Sequence, residues 1–274
     1  MANPISYAHK ICLSFSPPSS AYRELYSAIV CGADPELNDF GMDMRTIGLY
    51  HLMVVSGSHL IFLEQLLNHV TTRLGRSGQL IIFITLTFFA FCCSLLPPVT
   101  RALISFMLRK CSLEQKLFWK GHHIALLAGL FTLMVFPEWI KSLSFIMSWI
   151  ASLLVSLPIQ SELKKHFAVY LGLIPIFIGL QPQHPLTALV NWLLGPILGV
   201  VLFPASLLSF LISPLSYIVD PIWGGTLVLS HALAEYFKLP GSSFHIPLLA
   251  MWIYLLSLHI LIYNFLVTRN RALA

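Results

Sequence analysis

The stretch from residue 47 to 67, IGLYHLMVVSGSHLIFLEQLL, is apolar enough to enter a membrane, yet it carries His51, Ser56, Gly57, His59 and Glu64 in or beside the apolar run. Such polar groups are costly in hydrocarbon unless each finds a partner or faces water. A helix that only anchors has no use for them, so the pattern predicts a helix lining a polar cavity within a bundle. Ser56 and His59 are three residues apart and would share a helix face, as a nucleophile and its base must. The remainder of that chemistry is missing: the sequence has no GxSxG elbow and no acidic residue in a defined relation to the pair. A plainer reading makes Ser56 and Gly57 small residues at a close helix contact, with His51 and His59 hydrogen-bonded inside the bundle.

Arg101 follows the double proline Pro97-Pro98 at the start of another apolar segment. It either snorkels to the interface or points inward as a fixed cation, for which phosphate is a good partner. His231 and Glu235 are four apart, and His122 and His123 are adjacent, but no HExxH run accompanies either pair. These histidines read as structural or interfacial, and neither metal nor cofactor is expected. Asn191 and His259 lie within apolar helices as candidate hydrogen bonders of a bundle interior.

The elements that must hold these residues follow from composition. Of 274 residues, 57% are hydrophobic and 10% charged, with a mean hydropathy of +0.81; a soluble domain carries about 25% charged residues. The apolar runs lack period-2 alternation, so the expected fold is all-α: a polytopic transmembrane helical bundle of about eight to ten segments, several broken by proline. Residues 1 to 46 hold no signal-peptide pattern and one short amphipathic stretch at 21 to 31, and form a small N-terminal cap. The first membrane helix is expected over 47 to 70, and a proline-broken run over 186 to 213 reads as a kinked long helix or two half-helices. The membrane core is placed at 47 to 268 and a short basic tail at 269 to 274. Arg73, Arg76, Arg109, Lys110, Lys116, Lys120, Lys164, Lys165, Arg269 and Arg271 fall on one side of the alternating spans, which places that side in the cytoplasm and the cap outside. The five cysteines, Cys12, Cys31, Cys92, Cys93 and Cys111, contain no CxxC pair and read as buried small apolar residues. No GxxxxGK[ST] loop for ATP is present.

Several stretches, in order, resemble the ComEC-type competence DNA channels. TIGLYHLMVVSGSHL is similar to their membrane motif at Thr46, Gly48, His51, Leu52, Ser56, Gly57 and His59; upstream, CGADPEL resembles a compressed form of their lead-in. LPPVTRALISFML carries over Pro97, Pro98, Arg101 and Ala102. FPEWIKSLSFIMSWIA matches at Phe145 and Ser148, with Ile146 where the family has glutamine, and HPLTALVNWLLGPILGVVLFP matches at Asn191, Pro196 and Pro204. The resemblance covers the channel core alone. The soluble nucleic-acid-binding-like domain and the metallo-β-lactamase-like domain of longer members have no counterpart here, and no HxHxDH run exists.

The resemblance implies a channel core in the bacterial cytoplasmic (inner) membrane that imports single-stranded DNA during natural transformation. Its transport path is expected to involve His51, Ser56, Gly57, His59, Pro97, Pro98, Arg101, Ser148, Asn191 and Pro196, with no catalytic residue. The expected partners are single-stranded DNA, the lipid bilayer, a cytoplasmic DNA-translocating ATPase or strand-binding protein, an extracytoplasmic DNA receptor, and a second copy of the chain. The alternative is a small-solute permease or a structural membrane protein descended from the same core.

Overall fold

Proline and glycine set where the helices start and stop. The computed structural model describes residues 4–34, 39–53, 55–180, 184–239 and 246–272. Part of the lead-in (residues 35 to 38), Val54 and the end of the basic tail lie outside them. Every regular element among the described residues is helical. The α-helices, in chain order, are α1 (Pro4–Ser14), α2 (Arg23–Cys31), α3 (Asp39–Thr46), α4 (Tyr50–Met53), α5 (Gly57–Thr71), α6 (Gly75–Cys92), α7 (Pro97–Glu114), α8 (Gly121–Val135), α9 (Leu143–Val155), α10 (Glu162–Leu180), α11 (Thr187–Pro196), α12 (Phe203–Leu211), α13 (Ser216–Phe237) and α14 (Leu248–Ala272). Among the described residues, three helical stretches are long and apolar enough to cross a membrane: Gly57–Cys92, Thr187–Leu211 and Leu248–Leu266. The helices Gly121–Val135 and Leu143–Val155 are apolar but shorter.

The chain divides into two units, Met1–Leu103 with Gln183–Leu239, and Ile104–Pro182 with Pro240–Ala274. In the first, α2 packs on α12 and α3 on α13. Tyr26, Met44, Ile47, Leu49, Leu60, Ile82, Phe203 and Trp223 are fully buried there. The N-terminal segment is thus part of the unit's packing. In the second unit, Phe145, Ile146, Trp149, Ile150, Leu153, Ile176 and Leu255 form an apolar core. The position where the resemblance expects glutamine, Ile146, lies inside that core.

Two sequence expectations are corrected. The helix expected over 47–70 is not continuous, because α3 ends at Gly48, whose φ is +73°. Its N–H donates to the Arg45 carbonyl (3.0 Å), and the Leu49 N–H to the Met44 carbonyl (2.8 Å), the paired bonds of a Schellman stop, which favours glycine. The one-turn α4 follows, then Ser56 with extended backbone (φ −114°, ψ 168°) begins α5. The cysteines are not all unpaired: Cys12 on α1 and Cys31 on α2 form a disulfide, while Cys92, Cys93 and Cys111 are free.

The run 186–213 takes the kinked form. α11 and α12 are joined without interruption through a π-helical turn, Ile197–Leu202, which begins after Pro196 and ends before Pro204. Proline cannot donate to the preceding turn, and a π-bulge is one way a helix absorbs that loss.

Candidate functional site

Ser56, Gly57, Ser58 and His59 are the first residues of α5, and they are held as a helix start. The Ser56 N–H donates to His59 Nδ1 (2.9 Å), and the Ser56 Oγ lies 3.3 Å from the same nitrogen and in contact with the Ser58 hydroxyl. His59 fills the place that Glu or Gln usually takes in a capping box. Because Nδ1 accepts a backbone N–H, the neutral ring carries its proton on Nε2. The lone pair a general base would use toward Ser56 is therefore engaged by Ser56's own backbone. His59 is 1% exposed, and its Nε2 has no partner among the described residues.

Gly57 is where α5 meets α7. A Cβ on Gly57 would lie 3.2 Å from Ala102 Cβ and 3.3 Å from the Pro98 carbonyl oxygen. Pro97 and Pro98 open α7, where the missing N–H donors cost nothing. The turn before them is fixed by the Thr100 hydroxyl donating to the Leu95 carbonyl (2.8 Å). Arg101, one turn into α7, is buried at 6% exposure.

The π turn supplies the third wall. It packs on α4 and α5, and Gly195 approaches Leu52, the residue after His51. Phe203, fully buried, lies on His59 with ring centroids 4.5 Å apart and meets Phe62 and Phe89 edge-on at 6.0 Å.

Of the residues singled out in the sequence, His51, Ser56, Gly57, His59, Pro97, Pro98, Arg101, Asn191 and Pro196 all belong to the first unit. Gly57 and Pro98 touch, and the run containing Asn191 and Pro196 leads into the Phe203 cover. Their exposures differ: His51 and Pro196 are exposed, Ser56 is half-buried, and His59 and Arg101 are buried. Asn191 donates to the Thr187 carbonyl of its own helix (2.9 Å). Ser148 is on α9, in the second unit.

A family model described as Competence protein matches residues 37–271. The chain belongs to that family. The match runs through both units and contains every motif residue just described. Comparison with curated proteins and with solved structures gave no match. As a Competence-family protein with long apolar helices, the chain is a membrane protein with a role in DNA uptake.

Sequence reasoning missed Phe203 as the cover of His59; one aromatic in an apolar run carries no signal of its partner. It also missed the N-terminal anchoring at Asp220. The Asp220 carboxylate accepts from the Tyr26 phenol and the Ser20 hydroxyl, each at 2.8 Å. An acid within the apolar first half of α13 was the available cue. Burial, then the carboxylate beside it, raise the Tyr26 phenol above its ordinary pKa.

Proposed function

We propose that this chain is the transmembrane core of a channel that passes single-stranded DNA across a bacterial cytoplasmic membrane during natural transformation. The observation that carries this reading is the Competence-family match over residues 37–271. The physical task is to hide a polyanion from hydrocarbon, which needs a polar path, some fixed positive charge, and contacts that read no base sequence. The α5 start with Arg101 is the polar group of the first unit best suited to it, and the exposed His51 belongs to the same motif. The role is transport, without catalysis by this chain. The driving force comes from a cytoplasmic ATPase or strand-binding protein, with delivery by an extracytoplasmic receptor; a second copy of the chain is a further partner.

The Cys12–Cys31 disulfide supports an N-terminal segment facing an oxidising compartment. That agrees with the charge reading, which puts the basic loops in the cytoplasm of a multi-pass inner-membrane protein.

The test is transformation frequency after clean deletion and complementation. His59→Ala and Arg101→Ala, at matched protein levels, are expected to fall toward the deletion strain. Unchanged frequencies at normal protein levels would sink the assignment. Labelled DNA entering the deletion strain as in its parent would point instead to a small-solute permease or a structural protein.

A further inference from the structure

The turn between α7 and α8 has no part in the site above, yet it is the most deliberately built exposed feature of the second unit. Leu113, Leu117 and Phe118 are 60%, 47% and 70% exposed. Lys116 and Lys120, on the same turn, are exposed as well. The backbone that presents them is fixed from inside. Ser112, 2% exposed, accepts the Leu117 N–H on its carbonyl (2.8 Å) and the Trp119 N–H on its hydroxyl (2.8 Å). Lys116 and Phe118 have φ of 55° and 49°. Residues other than glycine hold that left-handed conformation only where the surroundings enforce it.

Charge at this end of the unit is mostly positive. A Cβ on Gly121 would lie 3.0 Å from Ser156 Cβ, so the turn sits beside the segment that follows α9. That segment leads to the exposed Lys164. Of the carboxylates here, Glu162 is already paired with Lys165 at 2.7 Å, and Glu114 is exposed.

We propose that this turn seats in the headgroup boundary of an acidic phospholipid leaflet. Leu113, Leu117 and Phe118 enter the acyl region, and the ammonium groups of Lys116 and Lys120 pair with lipid phosphates. A nucleic-acid strand fits the same cations less well: of the three exposed apolar side chains only Phe118 offers a base a face to stack on, whereas Leu113 and Leu117 suit acyl chains. The inference does not depend on the transport reading.

The experiment uses the purified full chain in a neutral detergent, with lipid binding counted by native mass spectrometry during titration with phosphatidylglycerol or phosphatidylcholine. The wild-type chain binds phosphatidylglycerol more tightly. Lys116→Gln with Lys120→Gln weakens that binding by about fivefold for each lysine, while phosphatidylcholine binding holds. Lys116→Arg with Lys120→Arg keeps the preference. Phe118→Ser weakens both lipids and leaves their ratio unchanged. A ratio unaffected by the double glutamine variant overturns the proposal. So does loss of fluorescent oligodeoxythymidine binding in that variant with lipid binding intact, which would make the turn a strand-binding surface.

Discussion

Gly57→Ala tests whether the motif glycine is a contact residue or only a flexible one. The added methyl would lie 3.2 Å from Ala102 Cβ and 3.3 Å from the Pro98 carbonyl oxygen. Both distances are tighter than ordinary contact, and the second neighbour is backbone that cannot rotate away. Overpacking of this kind costs about 1–3 kcal/mol. Alanine's smaller loss of backbone freedom offsets less than the ~0.5–1 kcal/mol of a mid-helix site, because Gly57 is the first residue of α5, so the expected net loss is about 1–2 kcal/mol. The decisive variant is Ala102→Gly, which removes one of the two colliding atoms and alone costs about 1 kcal/mol in helix propensity. The double variant should then be more stable than the sum of the singles by about 1 kcal/mol, within the range that touching residues show. The assay is denaturation of the purified chain in detergent, followed by helical circular dichroism, on the wild type and three variants. Strict additivity of the two losses would mean that α5 and α7 do not meet at Gly57, and the geometry of the site would be wrong.

Two further outcomes are expected. Cys12→Ser opens a disulfide of sequence separation 19 and should cost about 3 kcal/mol on loop-closure grounds, with a matching loss when the wild type is reduced; a midpoint unmoved by either would show that the bond is not formed. Tyr26→Phe leaves Asp220 with Ser20 alone and should cost about 1.5 kcal/mol, the low end for a hydrogen bond to a charged group, because Asp220 is half-buried. The Tyr26 pKa is raised in the folded chain by burial and by Asp220, so its stabilising contribution is complete below the ordinary phenol pKa of about 10 and is lost as pH rises above that. Alkaline melting should therefore be shallower in the phenylalanine variant than in the wild type.

The helical class, the two prolines that open α7 and the kink at Pro196 were legible because each rests on one local rule. An apolar run without alternation is helical, and proline lacks a donor. The break inside 47–67 was half legible. By pattern its polar residues make a cavity face on a continuous helix, yet Gly48 and Ser56 are stop and start residues by type. The apolar residues between them hid the punctuation. The disulfide was not legible, because five cysteines allow many pairings and Cys12 meets Cys31 only once α1 and α2 pack. The cover over His59 was least legible. His59 and Phe203 are far apart in sequence, and nothing in either neighbourhood names the other.

That cover joins two motifs which the sequence shows only as separate matches. Irregular backbone inside a membrane protein is tolerated only where protein or a water-filled cavity surrounds it. Between Gly48 and Ser56 the described residues form one short helical turn, α4, flanked by irregular backbone; Leu49, Met53 and Val55 there are at most 1% exposed and Leu52 is half-buried. Part of what encloses the region is the π turn and Phe203 of the Pro196–Pro204 segment. The first motif makes a break in the helical chain, and the later prolines bend a second helix so that it closes over that break. On the transport reading proposed above, Phe203→Ala, which removes the ring lying on His59, should change transformation frequency at matched protein levels, and Asn191, bonded within its own helix, should matter only by keeping that helix intact.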